Sequence, residues 1–297
     1  MFKATVPTRD AESARRGFLA RYSAGTRDLY ELDLRIYFQW CTAEQLDPLD
    51  VRRADLEAFV EWLMTVRGNG ARSACRRFQT VRSYLRLAVA DELIDRDPTH
   101  MVRLPKWTAD REKIAWLTPI QVARLQQVAA DTSPAHRALV DLMVVLGLRV
   151  SEACGVQLDD LTEDPSGYTL LSVRRKGGKI TTEAIPVPLL RVLDAARDGR
   201  TTGPLILTRA GNQQTRNGAY DWIKRLCRKV GLPAEIHPHS LRHTAVTTLV
   251  DAGLPMHEVQ AFARHADIRS TEWYYRRRGT PDQHASHIAA RMYAAVA

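Results

Sequence analysis

Apolar residues recur every three or four positions in the first part of the chain, which is the spacing of amphipathic helices. Ser23 or Thr26 is a candidate N-cap for one helix, and another is predicted from about Arg53. The Gly68-Asn69-Gly70 segment ends the latter, and a third helix follows it. The three predicted buried faces consist of Leu29, Leu32, Ile36 and Trp40, then Leu56, Phe59, Val60, Leu63 and Met64, then Cys75, Phe78, Val81, Tyr84, Leu85 and Ala88.

The helical pattern breaks between Asp97-Pro98 and Pro105, and this break predicts a domain boundary. The chain of 297 residues is long enough for two domains, each with its own core. The predicted organisation is a helical domain over 1–103, a linker over 104–113 and a second domain over 114–297.

The second domain is predicted to mix helices with a small sheet. Thr118-Pro119 and Ser133-Pro134 each place a capping residue before a proline at the first helical position. Two strands, Tyr168–Val173 and Thr182–Val187, form a hairpin with a basic tip, and Pro204–Thr208 is a candidate third strand. The expected fold class is therefore mainly α with a small antiparallel β-sheet. Further helices are predicted at about 215–230, 240–252, 255–263 and 269–278, with a last one from Thr280 to Ala297.

Charge adds a candidate partner to this picture. The chain carries a net charge of +9, and an excess of cations favours binding to a polyanion such as DNA. No acid occurs from Leu63 to Ala90, so the third helix is predicted to contact phosphates; the alternative is an ordinary solvated face. The candidate DNA-binding residues are Arg67, Arg72, Arg76, Arg77, Arg82 and Arg86.

Other classes of protein are disfavoured. No apolar run reaches the length of a membrane span, and the N-terminus lacks the apolar stretch of a signal peptide, so we expect a cytoplasmic protein. None of the four cysteines lies in a C-x-x-C pair, which favours buried, reduced thiols and no metal site.

Five short segments place unusual polar groups beside apolar helices. His239 and Arg242 are three residues apart at a predicted helix start, where free backbone N–H groups favour an anion. Arg149 and Arg242 together are suited to grip one phosphate with paired hydrogen bonds. Taken singly, such an arginine is usually a surface ion pair and such a histidine a core residue. The segments are 147–152, the hairpin tip with Lys176, 237–243, 263–265 and 273–276.

In this order the segments resemble the tyrosine recombinases, also called phage integrases. They are LGLRVSE, RRKGGK, HPHSLRH, ARH and WYY, and Tyr274 follows His265 by nine residues, the usual interval of the family. The stretch SAGTRDLYELDLRIYFQWC is similar to the start of the family's core-binding domain. The resemblance implies a helical core-binding domain followed by an α+β catalytic domain. It favours a Xer-like or simple integrase, because no arm-binding domain fits before the helix at residue 23.

The resemblance also implies a reaction and a role for each residue. Tyr274 is the implied nucleophile, which forms a 3′-phosphotyrosyl link and releases a 5′ hydroxyl without a cofactor, metal or ATP. The implied roles of the others are charge stabilisation for Arg149 and Arg242, completion of the phosphate cage for His239 and His265, protonation of the leaving oxygen for Lys176, and orientation of the cage for Glu152.

Two departures from the family pattern leave assignments open. Where the family usually has Leu-Gly before the second histidine, this chain has Ala263-Arg264. A slightly longer hairpin leaves Lys179 and Arg175 as alternatives to Lys176 for the general acid. Tyr275 is the alternative to Tyr274.

The implied partner is double-stranded DNA, with a tetramer assembled on two DNA sites and half of its subunits active at once. The last helix is expected either to dock on a neighbouring subunit or to pack on its own domain. Accessory proteins and association with the nucleoid remain open expectations. Two further functions are weighed against recombination: relaxation of DNA by a type IB topoisomerase, and DNA binding without catalysis.

Overall fold

The computed structural model describes residues 9–107, 115–175, 178–265 and 267–276, together with Ser286. Lys176 and the predicted helix from Thr280 to Ala297 therefore lie outside the described residues, apart from Ser286. The chain divides into two compact units, Met1–Asp110 and Arg111–Ala297. Among the described helices, none combines the length and apolar character that a membrane-crossing segment needs.

Helices are the regular secondary structure of the first unit among its described residues. Its core includes Tyr37, Phe59, Phe78 and Tyr84, which are all buried. Ile36 and Trp40 point inward as predicted, whereas Leu29 is 40% exposed. Helix α1 has no counterpart in the predictions, because charged residues are as frequent in it as apolar ones and three of its apolar residues are alanines. The helices are α1 (Arg9–Ala20), α2 (Ala24–Ala43), α3 (Arg53–Thr65) and α4 (Ala71–Ala90).

A buried carboxylate joins α2 to α4. Asp33 on α2 is fully buried and accepts hydrogen bonds from Arg76, Arg77 and Thr80 on α4. The contacts with the two guanidinium groups are 2.5 and 2.7 Å long. Because an unpaired buried charge is costly, this cluster fixes the packing of the two helices.

The second unit opens with α5 (Pro119–Thr132) and α6 (Pro134–Val144), capped by the side chains of Thr118 and Ser133 as predicted. Each capping hydroxyl accepts a hydrogen bond from a backbone N–H group that the first turn of a helix would otherwise leave without a partner. The other α-helices among the described residues are α7 (Val150–Gly155), α8 (Val187–Arg197), α9 (Arg216–Val230), α10 (Pro238–Asp251), α11 (Met256–Ala263) and α12 (Arg269–Arg276).

A three-stranded antiparallel sheet lies between α7 and α8 in sequence. Its order is β1-β2-β3, and Leu171 of β2 pairs with Glu183 of β3. The predicted hairpin is present, but its second strand begins and ends earlier than expected, and Val187 starts α8. The prediction of a strand over Pro204–Thr208 is wrong: only isolated bridges occur there. The strands are β1 (Leu161–Glu163), β2 (Thr169–Arg174) and β3 (Ile180–Ala184).

Helix α10 runs through the second unit and is buried on several sides, which accounts for its lack of a clear apolar stripe. Near its start Leu241 belongs to the main core of this unit, whereas Val246 and Val250 pack in a smaller core with Val259 and Tyr274. The first turn of α10 therefore lies where these two cores adjoin. Polar side chains gather at this place.

Candidate active site

Arg149 is the N-cap of α7 and is held by a carboxylate on the same helix. Glu152 accepts hydrogen bonds from the Arg149 backbone N–H at 2.8 Å and from its guanidinium at 2.7 Å. Burial by itself would raise the pKa of Glu152, but the hydrogen bonds and charge of Arg149, with the charge of Arg242, lower it overall. Glu152 is therefore ionised at neutral pH and orients the arginine.

Arg242 lies on the first turns of α10 and is only 3% exposed. Its guanidinium donates to the backbone carbonyls of Gly147 and Ala263, and it lies 4.0 Å from Glu152. Burial, together with the positive charge of Arg149, lowers the pKa of Arg242 to about 10. The guanidinium still carries its charge at neutral pH. The two arginines thus meet at one carboxylate.

Three histidines lie beside these arginines. Partial burial, together with the positive charges of Arg242 and Arg149, lowers the pKa of His239 and of His265 to about 4. The ring centroids of His239 and His243 are 4.2 Å apart. His265 is oriented by Thr271, whose hydroxyl lies 2.9 Å from its Nδ1 atom. All three rings are neutral at pH 7 in the free protein.

Tyr274 on α12 reaches the same cluster. Its hydroxyl is hydrogen-bonded to Nδ1 of His243, and its ring centroid lies 6.3 Å from that of His265. The neighbouring Tyr275 is placed differently, because its hydroxyl donates to the backbone carbonyl of Leu254. The two candidate tyrosines therefore differ: only the hydroxyl of Tyr274 is bonded to a member of this histidine cluster.

Arg264 occupies the position where the resemblance leads one to expect glycine. It ends α11 in the left-handed region at φ 52°, so the backbone turn that favours glycine is kept. Its side chain is buried and forms an ion pair of 2.7 Å with Glu183 of β3. It also donates to the carbonyl of Leu146 at 2.8 Å.

The hairpin borders the cluster. Arg175 follows β2. Its backbone carbonyl accepts a hydrogen bond from the N–H of Gly178, and its own N–H donates to the carbonyl of Lys179 at 2.7 Å. Lys176 lies outside the described residues, so its position relative to the cluster stays a prediction. An open cavity of about 1450 Å³ is lined by Arg149, Lys179, Glu183, Arg264 and His265, among others. This volume is ample for a phosphate group with part of its sugars.

The candidate DNA-binding arginines of the first unit have several kinds of surroundings. Arg76 and Arg77 bind the buried Asp33, so part of their charge is already compensated inside the unit. The others stack on aromatic rings or pair at the surface: Arg67 over Trp62, Arg72 over Trp107, Arg82 over Phe78, and Arg86 with Asp97.

Sequence reasoning missed three contributors to these clusters. His243 stood inside the quoted HPHSLRH segment, and its place four residues after His239 on a helix was a signal that both share a face. Arg264 was noted only as a departure from the family pattern. Asp33 carried no local signal, because its partners lie more than forty residues away in sequence.

Comparisons with known proteins identify the family of the chain. The model of the phage integrase family matches residues 115–279, which is more than half of the chain. The chain belongs to the phage integrase family. This recombinase is 30% identical over 277 residues to the tyrosine recombinase XerD of Mycobacterium tuberculosis, covering 85% of this chain and 87% of that protein. Tyrosine recombinase XerC of Leptospira interrogans is 25% identical over 261 residues, covering 85% and 83%.

Solved structures give the same fold. A lambda integrase dimer bound to a COC′ core site matches this recombinase with a TM-score of 0.73 at 19% identity, covering 91% of this chain and 77% of that chain. A lambda integrase tetramer bound to a Holliday junction also matches with a TM-score of 0.73. The predicted fold class and the resemblance to tyrosine recombinases are confirmed. The protein is a site-specific tyrosine recombinase, an enzyme that breaks and rejoins DNA strands.

Proposed function

We propose that this recombinase cleaves DNA by attack of the Tyr274 hydroxyl on a phosphodiester held by Arg149, Arg242, His239 and His265. The observation that supports it most is the common surroundings of these side chains. Glu152 links the two arginines, and Tyr274 reaches the histidines through His243. Five of the selected family residues therefore share contacts, although up to 125 residues separate them in sequence: Arg149, His239, Arg242, His265 and Tyr274.

The charges of the cluster suit the transition state of phosphoryl transfer. A phosphodiester is already anionic, and negative charge on its non-bridging oxygens has to be stabilised as the tyrosine oxygen attacks. Arg149 and Arg242 provide permanent cations for those oxygens. Since Gly147 and Ala263 hold the Arg242 guanidinium before DNA arrives, little rearrangement is needed at the moment of reaction.

The histidines are suited to respond to bound DNA. In the free protein their pKa values are depressed by burial and by the arginines. A phosphate between the two arginines offsets those positive charges, and the pKa values of His239 and His265 rise toward the physiological range. The rings then donate hydrogen bonds to the phosphate and take part in proton transfer. His243 is the histidine already hydrogen-bonded to the phenol.

Protonation of the leaving 5′ oxygen is assigned to the hairpin, with Lys176 as the preferred acid and Lys179 or Arg175 as alternatives. The P–O5′ bond breaks as the P–O bond to Tyr274 forms, and the leaving oxygen takes up a proton. The link to Tyr274 keeps the energy of the broken bond, so the 5′ hydroxyl of another strand reverses the step without ATP.

The first unit is proposed as the core-binding domain. Arg67, Arg72 and Arg86 are exposed on or beside α4, which suits contact with the DNA backbone. Lambda integrase has been solved as a dimer and as a tetramer on DNA. By analogy, we propose that this recombinase binds double-stranded DNA as an oligomer and recombines two sites within a tetramer.

A test of the proposed nucleophile starts from duplexes enriched from a randomised library by binding to the protein. The enriched duplexes are resynthesised with a nick near each candidate phosphate, so that the cleaved end diffuses away and the covalent complex accumulates. Wild-type protein is expected to give an adduct on a denaturing gel, and Tyr274→Phe is expected to give none. Tyr275→Phe is the matched control and should retain the adduct.

Absence of an adduct with the wild-type protein on every nicked duplex would contradict the proposal. An adduct formed by Tyr274→Phe but lost in Tyr275→Phe would move the nucleophile by one residue and leave the rest intact.

A further inference from the structure

Arg264 connects three parts of the catalytic unit. Its guanidinium contacts Glu183 on β3 and the carbonyl of Leu146, while its backbone carbonyl accepts a hydrogen bond from the Arg175 side chain after β2. Both ends of the hairpin are therefore tied to the residue that directly precedes His265. Leu146 in turn precedes Gly147, whose carbonyl holds Arg242.

The cost of this arrangement indicates that it is specific. A non-glycine residue in the left-handed region is disfavoured, and Arg264 adopts φ 52°. Its side chain is 2% exposed, so its charge has lost nearly all contact with water. Glu183 compensates that charge. In turn, Arg264 neutralises a carboxylate that lines the cavity.

We propose that Arg264 and Glu183 are a positioning pair that fixes the β2–β3 hairpin against the His265 turn, so that the general acid of the hairpin is aligned with the leaving oxygen. This inference rests on the proposed function, since it concerns the acid of that reaction. Arg175 anchors the hairpin directly before Lys176, so a shift of this anchor displaces the acid. A displacement of about 1 Å in a reacting group costs roughly 100-fold in rate.

The structure suggests a variant that separates positioning from folding. Arg264→Gly removes the guanidinium but gives the left-handed position a residue that adopts it freely. Glu183→Gln keeps the shape of the side chain and removes its charge. Glu163→Gln, which removes an exposed carboxylate from β1 of the same sheet, is the matched control. Thermal unfolding identifies any variant that fails to fold.

The decisive measurement is the rate of cleavage on two substrates made from the same selected duplex. One carries the normal 5′ oxygen at the scissile phosphate, and the other carries sulfur there. A thiolate leaves without protonation, so a defect in the general acid is seen only with oxygen. Lys176→Ala provides the reference for complete loss of the preferred acid.

We expect Arg264→Gly and Glu183→Gln to cleave the oxygen substrate about 10- to 100-fold more slowly than wild type, a part of the roughly 100- to 10,000-fold that a general acid contributes. On the sulfur substrate both are expected to cleave at close to the wild-type rate, and Glu163→Gln should match wild type on both. Equal defects on the two substrates, or no defect on either, would overturn the positioning role. Either result is distinct from failure of the proposed function, in which the wild-type protein forms no adduct at all.

Discussion

The hydroxyl of Tyr274 is hydrogen-bonded to Nδ1 of His243, a residue that lies 31 positions earlier in the chain. Burial lowers the pKa of His243 to about 3, so at neutral pH this ring is neutral and able to accept a proton at one nitrogen. Burial also raises the pKa of Tyr274. The resting nucleophile is therefore a protonated phenol, and its proton has to leave as it attacks.

The first prediction concerns this phenol. Because its pKa is raised, Tyr274 is expected to stay protonated in the free protein at about pH 10, where an ordinary tyrosine is half ionised. Ultraviolet titration of wild type and of Tyr274→Phe measures this. The spectrum of wild type minus that of the variant should lack a phenolate band at that pH. A phenolate band of Tyr274 that appears with a midpoint near the ordinary tyrosine pKa would refute the expectation. Tyr168→Phe, which removes an exposed phenol, is the control for general changes in the spectrum.

The histidine cluster predicts loss of stability in acid. His239, His243 and His265 have folded-state pKa values of about 4, 3 and 4, below the ordinary value of 6.5. As pH falls through about 6.5, the unfolded chain binds protons that the folded unit does not, so the free energy of unfolding falls until the folded-state pKa values are reached. The contribution of the three neutral histidines to the free energy of unfolding is thus complete above about pH 6.5, and it is lost as the pH falls from there to about 4.

Denaturant unfolding of the second unit at about pH 8 and about pH 5 measures this difference. His243→Gln is expected to reduce the pH dependence, because one group with a depressed pKa is removed. His257→Gln serves as the control, since the His257 side chain is 80% exposed. An unfolding free energy that is the same at both pH values in wild type would contradict the assignment.

Gly147 gives a prediction that links backbone conformation to the cage. It has φ +60°, and a Cβ added there would lie 2.8 Å from the ring of Phe262. Gly147→Ala is expected to destabilise the unit by about 1–3 kcal/mol. It should also slow adduct formation, because the Gly147 carbonyl holds Arg242.

Gly155→Ala is the matched control for this change. Gly155 is in α7, has no heavy atom within 4 Å of an added Cβ and does not have a positive φ. It is expected to be neutral or to stabilise the protein by up to about 1 kcal/mol. If both variants unfold and cleave alike, the close approach at Gly147 has no energetic importance.

The arginines of α4 are predicted to fall into two classes. Arg76→Ala removes a partner of the buried Asp33 and should destabilise the first unit by about 1–3 kcal/mol. Arg72→Ala removes an exposed cation that lies over Trp107 and should change stability by less than about 0.5 kcal/mol. It should instead weaken binding to all DNA sequences. The slope of the logarithm of the binding constant against the logarithm of the salt concentration should fall in magnitude by about one.

Unfolding curves and binding isotherms at several salt concentrations separate these effects. A destabilised Arg72→Ala with unchanged binding would indicate a structural role for Arg72. Selective loss of one base preference would indicate base recognition instead.

The sequence predicted those elements whose signals are local. The caps at Thr118 and Ser133, with the prolines after them, specified where α5 and α6 begin. Helix α8 was missed because Ile185-Pro186 reads as the end of a strand, although proline also precedes helices. The Pro204–Thr208 segment has the apolar composition of a strand, but its backbone forms only single bridges.

The difference between local and long-range signals also explains which residues of the site the sequence predicted. The order of the family residues selected Arg149, Arg242, His239, His265 and Tyr274 because each follows a recognisable local motif. The ion pair of Arg264 with Glu183 joins positions 81 residues apart, and nothing near either residue indicates the other. Such contacts are decided by how the hairpin packs against α11, which a single sequence does not encode locally.

The anchoring of Arg242 by the carbonyls of Gly147 and Ala263 has a consequence for how this protein varies. Every amino acid carries a backbone carbonyl, so a point substitution at position 263 leaves the acceptor in place as long as the turn keeps its path. The position of the Arg242 guanidinium is therefore tolerant of side-chain substitutions at these two anchors. Substitutions that alter the backbone path, as at Gly147, are the ones expected to displace it.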